Sequence, residues 1–115
     1  MFDIKGLIKA FRYSLAGFNE GVQHHTHFRL ATVLTLLLSP VAILIGDDAI
    51  QRALLLSTLF LIPILELINS AVEITVNRIS LEQHPLSKKA KDLASAAVFL
   101  TIMNAVAVWI LVIFF

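Results

Sequence analysis

The chain is 115 residues long, 58% hydrophobic and 15% charged, with a net charge of +1 at pH 7 and a mean hydropathy of +0.88. That length suits one domain, and the apolar excess excludes an ordinary soluble bundle, which would scatter charge along one face of every helix. No basic run is long enough for nucleic acid, and the absence of cysteine rules out disulfides and thiolate metal sites.

The first ten residues mix Asp3, Lys5 and Lys9 into the region where a signal peptide needs an unbroken apolar core, so no removable leader is expected. Over residues 2–23, Phe2, Leu7, Ile8, Phe11, Leu15, Phe18 and Val22 recur at roughly helical spacing, with Lys5, Lys9, Arg12 and Glu20 elsewhere on the wheel. This pattern predicts an amphipathic helix at the headgroup layer, its lysines facing anionic phosphates. The alternative is an ordinary core-facing helix.

A first membrane span is expected over 28–46, around the uncharged run from Leu30 to Ile45. Pro40 should bend it, and Gly46-Asp47-Asp48 ends it as a turn. The second span, 49–78, contains the apolar run Ala53 to Leu65 and meets no breaker after Pro63, so the helix should continue out into the cytosol through Arg78. Residues 79–90 form a polar connection in which Ser87 is expected to cap the third helix. The third span, 91–115, includes twenty-three uncharged residues from Leu93 to Phe115. Lys5, Lys9, Arg12, Arg29, Arg78, Lys88, Lys89 and Lys91 flank the N-terminus and second connection, whereas Arg52 alone lies by the first loop. That bias places the N-terminus and second connection in the cytoplasm.

Glu66, Asn69, Ser70, Glu73 and Asn77 fall at i, i+3, i+4, i+7 and i+11, one polar face of a helix whose neighbouring positions are apolar. A carboxylate at membrane depth costs roughly 2.5 kcal/mol or more and marks a functional site. Asn and Ser alone could be interhelical glue. Two glutamates on one stripe repel unless a proton or cation lies between them. Such a pair can divide labour, one taking a proton from a hydroxyl while the other holds a hard cation. Lys91 and Asp92 add a cation and a third carboxylate, a set suited to phosphoryl transfer. The Gly-x-x-x-x-Gly-Lys-[Ser/Thr] phosphate loop is absent, so a nucleotide must be held differently. His24, His25 and His27 could form a transition-metal site or simply lie among lipid phosphates.

The stretch from Glu66 through Asn69-Ser70 to Glu73, with Asn77-Arg78-Ile79, His84-x-Leu86-Ser87 and Lys89-Ala90-Lys91-Asp92-x-x-Ser95-Ala96-Ala97-Val98, closely resembles the bacterial integral-membrane diacylglycerol kinase family. The resemblance extends to Ile8-Lys9-Ala10, Tyr13-Ser14, Gly17, Phe28-Arg29 and Arg52-x-Leu54-Leu55, nearly the whole chain. It implies an all-α membrane protein, a surface helix plus three spans, in a homotrimeric bundle of the bacterial inner membrane. Its cytosol-side active site would be shared between subunits and transfer the γ-phosphate of MgATP to a lipid hydroxyl. Carried over by position, Glu66 is the general base and Asn69 an active-site polar residue. Glu73 is a magnesium ligand, and Lys91, Asp92, Glu73 and Tyr13 bind nucleotide. Ser70, Asn77, Arg12 and Ser95 support the lipid and active site. Three thin helices cannot hide the polar stripe from lipid, which by itself calls for oligomerisation.

The chain departs from the family pattern at four positions: His25 stands where a second metal-binding Glu is usual, Gly6 where a basic residue often lies, Asn77 for an Asp and Ala94 for a Gly. Imidazole is a poor magnesium ligand. Glu20, five residues earlier, should not share a helical face with position 25. Magnesium is therefore expected on Glu73 and the ATP phosphates. The substrate implied is diacylglycerol. Undecaprenol is the alternative within the family, and a non-catalytic lipid-binding or scaffold protein is the alternative outside enzymes.

Overall fold

The computed structural model describes residues 3–115, and each helix boundary in it has a local cause; Phe2 lies outside the described residues. The first helix, α1, runs Ile4–His24 because Asp3, extended at φ −98°, accepts the Gly6 N–H on its side chain at 2.6 Å. It ends at His25, whose φ of −126° and ψ of 98° leave the helical region. Two carbonyls of the last turn then find donors outside the helix: the His25 N–H reaches the Gly21 carbonyl at 3.1 Å, and the Arg29 guanidinium reaches the Val22 carbonyl at 2.7 Å. Gly21 is the buried residue of α1, and a Cβ there would lie 2.6 Å from the Phe28 ring and 3.2 Å from Leu67. The missing side chain is what lets α1 turn back against the next two helices.

The second helix, α2, spans Thr26–Ile45 with Pro40 inside it. The hydroxyls of Thr32, Thr35 and Ser39 bond back to the carbonyls four residues earlier. Gly46 is its C-cap, and Arg52 Nε donates to the Ile43 carbonyl at 3.1 Å. Arg29 and Arg52 thus do one job at successive helix ends, satisfying carbonyls and complementing the dipole.

The third helix, α3, is continuous over Ala49–Ile79, started by Asp48, whose carboxylate accepts the Gln51 N–H at 2.8 Å. The fourth, α4, spans Pro85–Phe114. Its N-cap is His84, which accepts the Leu86 N–H on Nδ1 at 3.1 Å. Ser87 was the residue expected there, and it lies inside the helix instead. Pro85 decides this, because a ring with φ fixed near −65° and no N–H to lose favours the first helical position. At 1.5 Å per residue, α3 and α4 are each roughly 45 Å long, well beyond the ~30 Å hydrocarbon core, so each has room to emerge from it. Three helices, α2, α3 and α4, are long and apolar enough to cross a membrane.

Ala42, Leu55 and Leu59 form the packed centre, flanked by Leu38, Leu56, Trp109 and Val112. Two side-chain hydrogen bonds tie α3 to its neighbours there. Trp109 Nε1 of α4 donates to the Thr58 hydroxyl at 3.0 Å, and the Thr35 hydroxyl of α2 approaches the Leu59 carbonyl at 3.0 Å. The second has a specific origin. Pro63 carries no N–H, so the carbonyl of Leu59, four residues earlier, has no helical donor, and an unpaired carbonyl in hydrocarbon costs several kcal/mol. Thr35 supplies the donor.

Candidate functional site

The continuity of α3 through Pro63 places Glu66, Asn69, Ser70, Glu73 and Asn77 along one helix, but their surroundings differ. Glu66 is 7% exposed and lies at a groove of about 380 Å³ between α2, α3 and α4. Apart from Thr35 and the Trp109 indole, the other polar side chain lining that groove is His27, from the first turn of α2. The rest of the lining, including Leu34, Leu38, Ile102 and Val106, is apolar. A carboxylate at one point of an oily trough suits a ligand with a single polar head on a hydrocarbon body.

Ser70 faces a different groove. It lines a space of about 390 Å³ between α1 and α3 together with Ser14, Gly17, Glu20 and His25. Here the structure corrects the helical-wheel expectation for Glu20. His25 Nε2 lies 3.1 Å from Glu20 Oε2, because the extended backbone at His25 releases it from the wheel and lets its ring reach back along α1. A carboxylate therefore does stand beside position 25.

The third region is at the α3–α4 connection, a space of about 750 Å³ lined by Asn77, Ser80, His84, Lys88, Lys91 and Asp92 among others. Lys91 Nζ donates to Asn77 Oδ1 at 2.9 Å, joining the end of the α3 stripe to the start of α4. Asp92 accepts from Lys88 Nζ at 2.6 Å. That pair is exposed, spaced i,i+4, and legible from spacing alone. It places a second ammonium beside the expected nucleotide residues, one that the motif reading did not single out.

Asn69 is half-buried on α3, and Glu73 is exposed. Arg12 and Tyr13 are exposed on α1, and Ser95 is exposed on α4. Within the chain, then, Glu66 and Lys91 open onto different spaces and Tyr13 lines neither. Among the described residues no three His, Cys, Asp or Glu side chains gather into a metal site, which applies to the His24, His25 and His27 cluster as well. His27, Thr35 and Trp109 had no recognisable sequence signal as groove residues, since only the packing of α2 and α4 on α3 brings them to Glu66.

The model of the prokaryotic diacylglycerol kinase family matches residues 12–113. The diacylglycerol kinase of Pseudomonas aeruginosa is 43% identical over 106 residues, covering 92% of this chain and 86% of its own. That of Haemophilus influenzae is 39% identical over 109 residues, covering 95% and 92%. That of Escherichia coli K12 is 43% identical over 103 residues, covering 90% and 84%.

Proposed function

The chain belongs to the prokaryotic diacylglycerol kinase family, and on that premise we propose that it transfers the γ-phosphate of ATP to the free hydroxyl of diacylglycerol, giving phosphatidic acid and ADP. The observation that carries this reading beyond membership is Glu66, a buried carboxylate on an otherwise oily trough. A diacylglycerol has one hydroxyl on two hydrocarbon chains, which is the polarity that the trough offers.

Glu66 takes the proton of that hydroxyl as its oxygen bonds to the γ-phosphorus, and the bond from phosphorus to the bridging oxygen of ADP breaks. Asn69, three residues on, orients the hydroxyl. Lys91 places positive charge against the phosphates, with Asp92 and Tyr13 as further nucleotide contacts, and the Lys91 to Asn77 hydrogen bond sets the position of that ammonium. Ser70, Arg12 and Ser95 border the lipid and phosphate path.

Magnesium enters with the nucleotide in this reading. The described residues offer no protein cage, but magnesium keeps water and phosphate oxygens and needs only one or two carboxylates, which the exposed Glu73 fits. There it would neutralise phosphate charge. His25 is left out of this magnesium set, because its ring lies 3.1 Å from the Glu20 carboxylate and imidazole is a poor magnesium ligand.

Three further features belong to the same proposal. The polar stripe on α3 needs other subunits to shield it from lipid, and a homotrimer brings Glu66 of one subunit to the nucleotide residues of the next. The apolar residues of α1, exposed in the single subunit, lie on the membrane surface. The excess of Lys and Arg puts the N-terminus and the α3–α4 connection in the cytoplasm of the inner membrane, where ATP is. The test is to give purified protein in mixed micelles ATP labelled at the γ-phosphorus, with diacylglycerol and undecaprenol in parallel. Label in phosphatidic acid is expected, and label in undecaprenyl phosphate alone or in neither lipid refutes the reading.

A further inference from the structure

We propose that Thr35 is a positioning residue for the phosphoryl-transfer reaction, its hydroxyl holding the proline-interrupted turn of α3 in the one geometry that aims Glu66 into the groove; this rests on the proposal that Glu66 is the base. The third helix has a gap in its backbone hydrogen bonding. Pro63 cannot donate to the Leu59 carbonyl, so the turn that carries the chain toward Glu66 lacks the bond that fixes every other turn. Left unpaired in a dry environment, that carbonyl would turn toward any donor it could find, and the bend at Pro63 would follow it.

Thr35 closes the gap from another helix. Its hydroxyl lies 2.8 Å from the Ala31 carbonyl of its own helix and 3.0 Å from Leu59, so one proton serves two carbonyls across the α2–α3 contact. Thr35 and Leu59 are each only 4% exposed. Leu59 and Glu66 are seven residues apart, two turns along the same face, and both line the trough together with Thr35. On the other side, Trp109 grips Thr58 from α4. The turn before the base is thus braced by α2 and α4 at adjacent residues. Misplacement of a reacting group by about an ångström costs about 100-fold in rate, so a brace at this point governs turnover.

The measurement is a double-mutant comparison of turnover per assembled oligomer at saturating lipid and ATP, with Thr35→Val, Thr35→Ser, Pro63→Ala and Pro63→Ala with Thr35→Val. Val keeps the shape of Thr but lacks the proton, and Pro63→Ala returns the missing backbone donor to Leu59. Thr35→Val should lower kcat about 10- to 100-fold with KM for ATP unchanged, whereas Thr35→Ser should retain native turnover. In the Pro63→Ala background, Thr35→Val should cause no further fall. A native kcat in Thr35→Val, or the same fall in both backgrounds, would overturn the inference. If Thr35→Val does not assemble, the two Pro63→Ala proteins decide alone: equal turnover supports the brace and a further fall refutes it. A Thr35 that only stabilised the fold would lower the thermal inactivation midpoint and leave kcat per oligomer untouched. Glu66→Gln measured alongside separates the two claims. An active Glu66→Gln refutes the base, and coupling between Thr35 and Pro63 beside an inactive Glu66→Gln supports both.

Discussion

Glu73 follows Glu66 by two helical turns yet stands exposed where Glu66 is buried, and the different roles proposed for them rest on that contrast. An exposed carboxylate keeps its charge cheaply and can offer it to a hydrated cation. Glu73→Gln should therefore raise the magnesium concentration needed for half-maximal activity, and an unchanged magnesium titration would make Glu73 structural. His25 is the harder residue. The wheel separated it from Glu20 because a wheel assumes that the helix continues, whereas the backbone at His25 leaves the helix and returns its ring to within 3.1 Å of that carboxylate. Only the break makes the contact, and nothing in the spacing announces a break at a histidine followed by a threonine. His25→Glu would set a second carboxylate beside Glu20 and should lower the magnesium requirement without changing lipid preference. An inactive His25→Glu beside an active native enzyme would give the imidazole a role of its own.

At the scale of helices, most of the fold was legible because the signals were strong and agreed. Uncharged runs marked the three long helices, Gly46-Asp47-Asp48 marked the turn after α2, and no breaker interrupted α3 between Pro63 and Arg78. The start of α4 was misread because two capping signals competed. Ser87 is a good N-cap by type, but Pro85 two residues earlier already satisfies the first helical position, and His84 then takes the cap. The cross-helix bonds from Thr35 and Trp109 were invisible, since each depends on which faces of α2 and α4 meet α3. The α1–α2 corner is a tightly packed joint. A Cβ at Gly21 would overlap the Phe28 ring, so Gly21→Ala should weaken the docking of α1 by about 1–3 kcal/mol, the usual scale of overpacking. Faster backbone hydrogen exchange across α1, with α3 and α4 unchanged, is the expected signature. Uniform exchange in native and variant protein would show that the corner yields freely.

At the scale of the whole molecule, the class of enzyme was legible before any geometry, from the Glu-x-x-Asn-Ser-x-x-Glu stripe and the Lys91-Asp92 pair that carry the family resemblance. Glu66 and the Lys91-Asp92 pair nevertheless open onto separate spaces of the chain. Helical spacing fixes positions along one helix and is silent about neighbouring subunits. A shared site predicts complementation: mixed oligomers of Glu66→Gln and Lys91→Ala subunits, each inactive alone, should regain a fraction of native turnover. No recovery would place each site within one subunit. The role of Glu66 is tested most directly by the rate of γ-phosphate transfer to diacylglycerol by native and Glu66→Gln oligomers of equal size. The native protein should form labelled phosphatidic acid, and Glu66→Gln should do so roughly 10²–10⁴-fold more slowly; a native protein that labels no diacylglycerol, or a Glu66→Gln variant that keeps native rate, would contradict it.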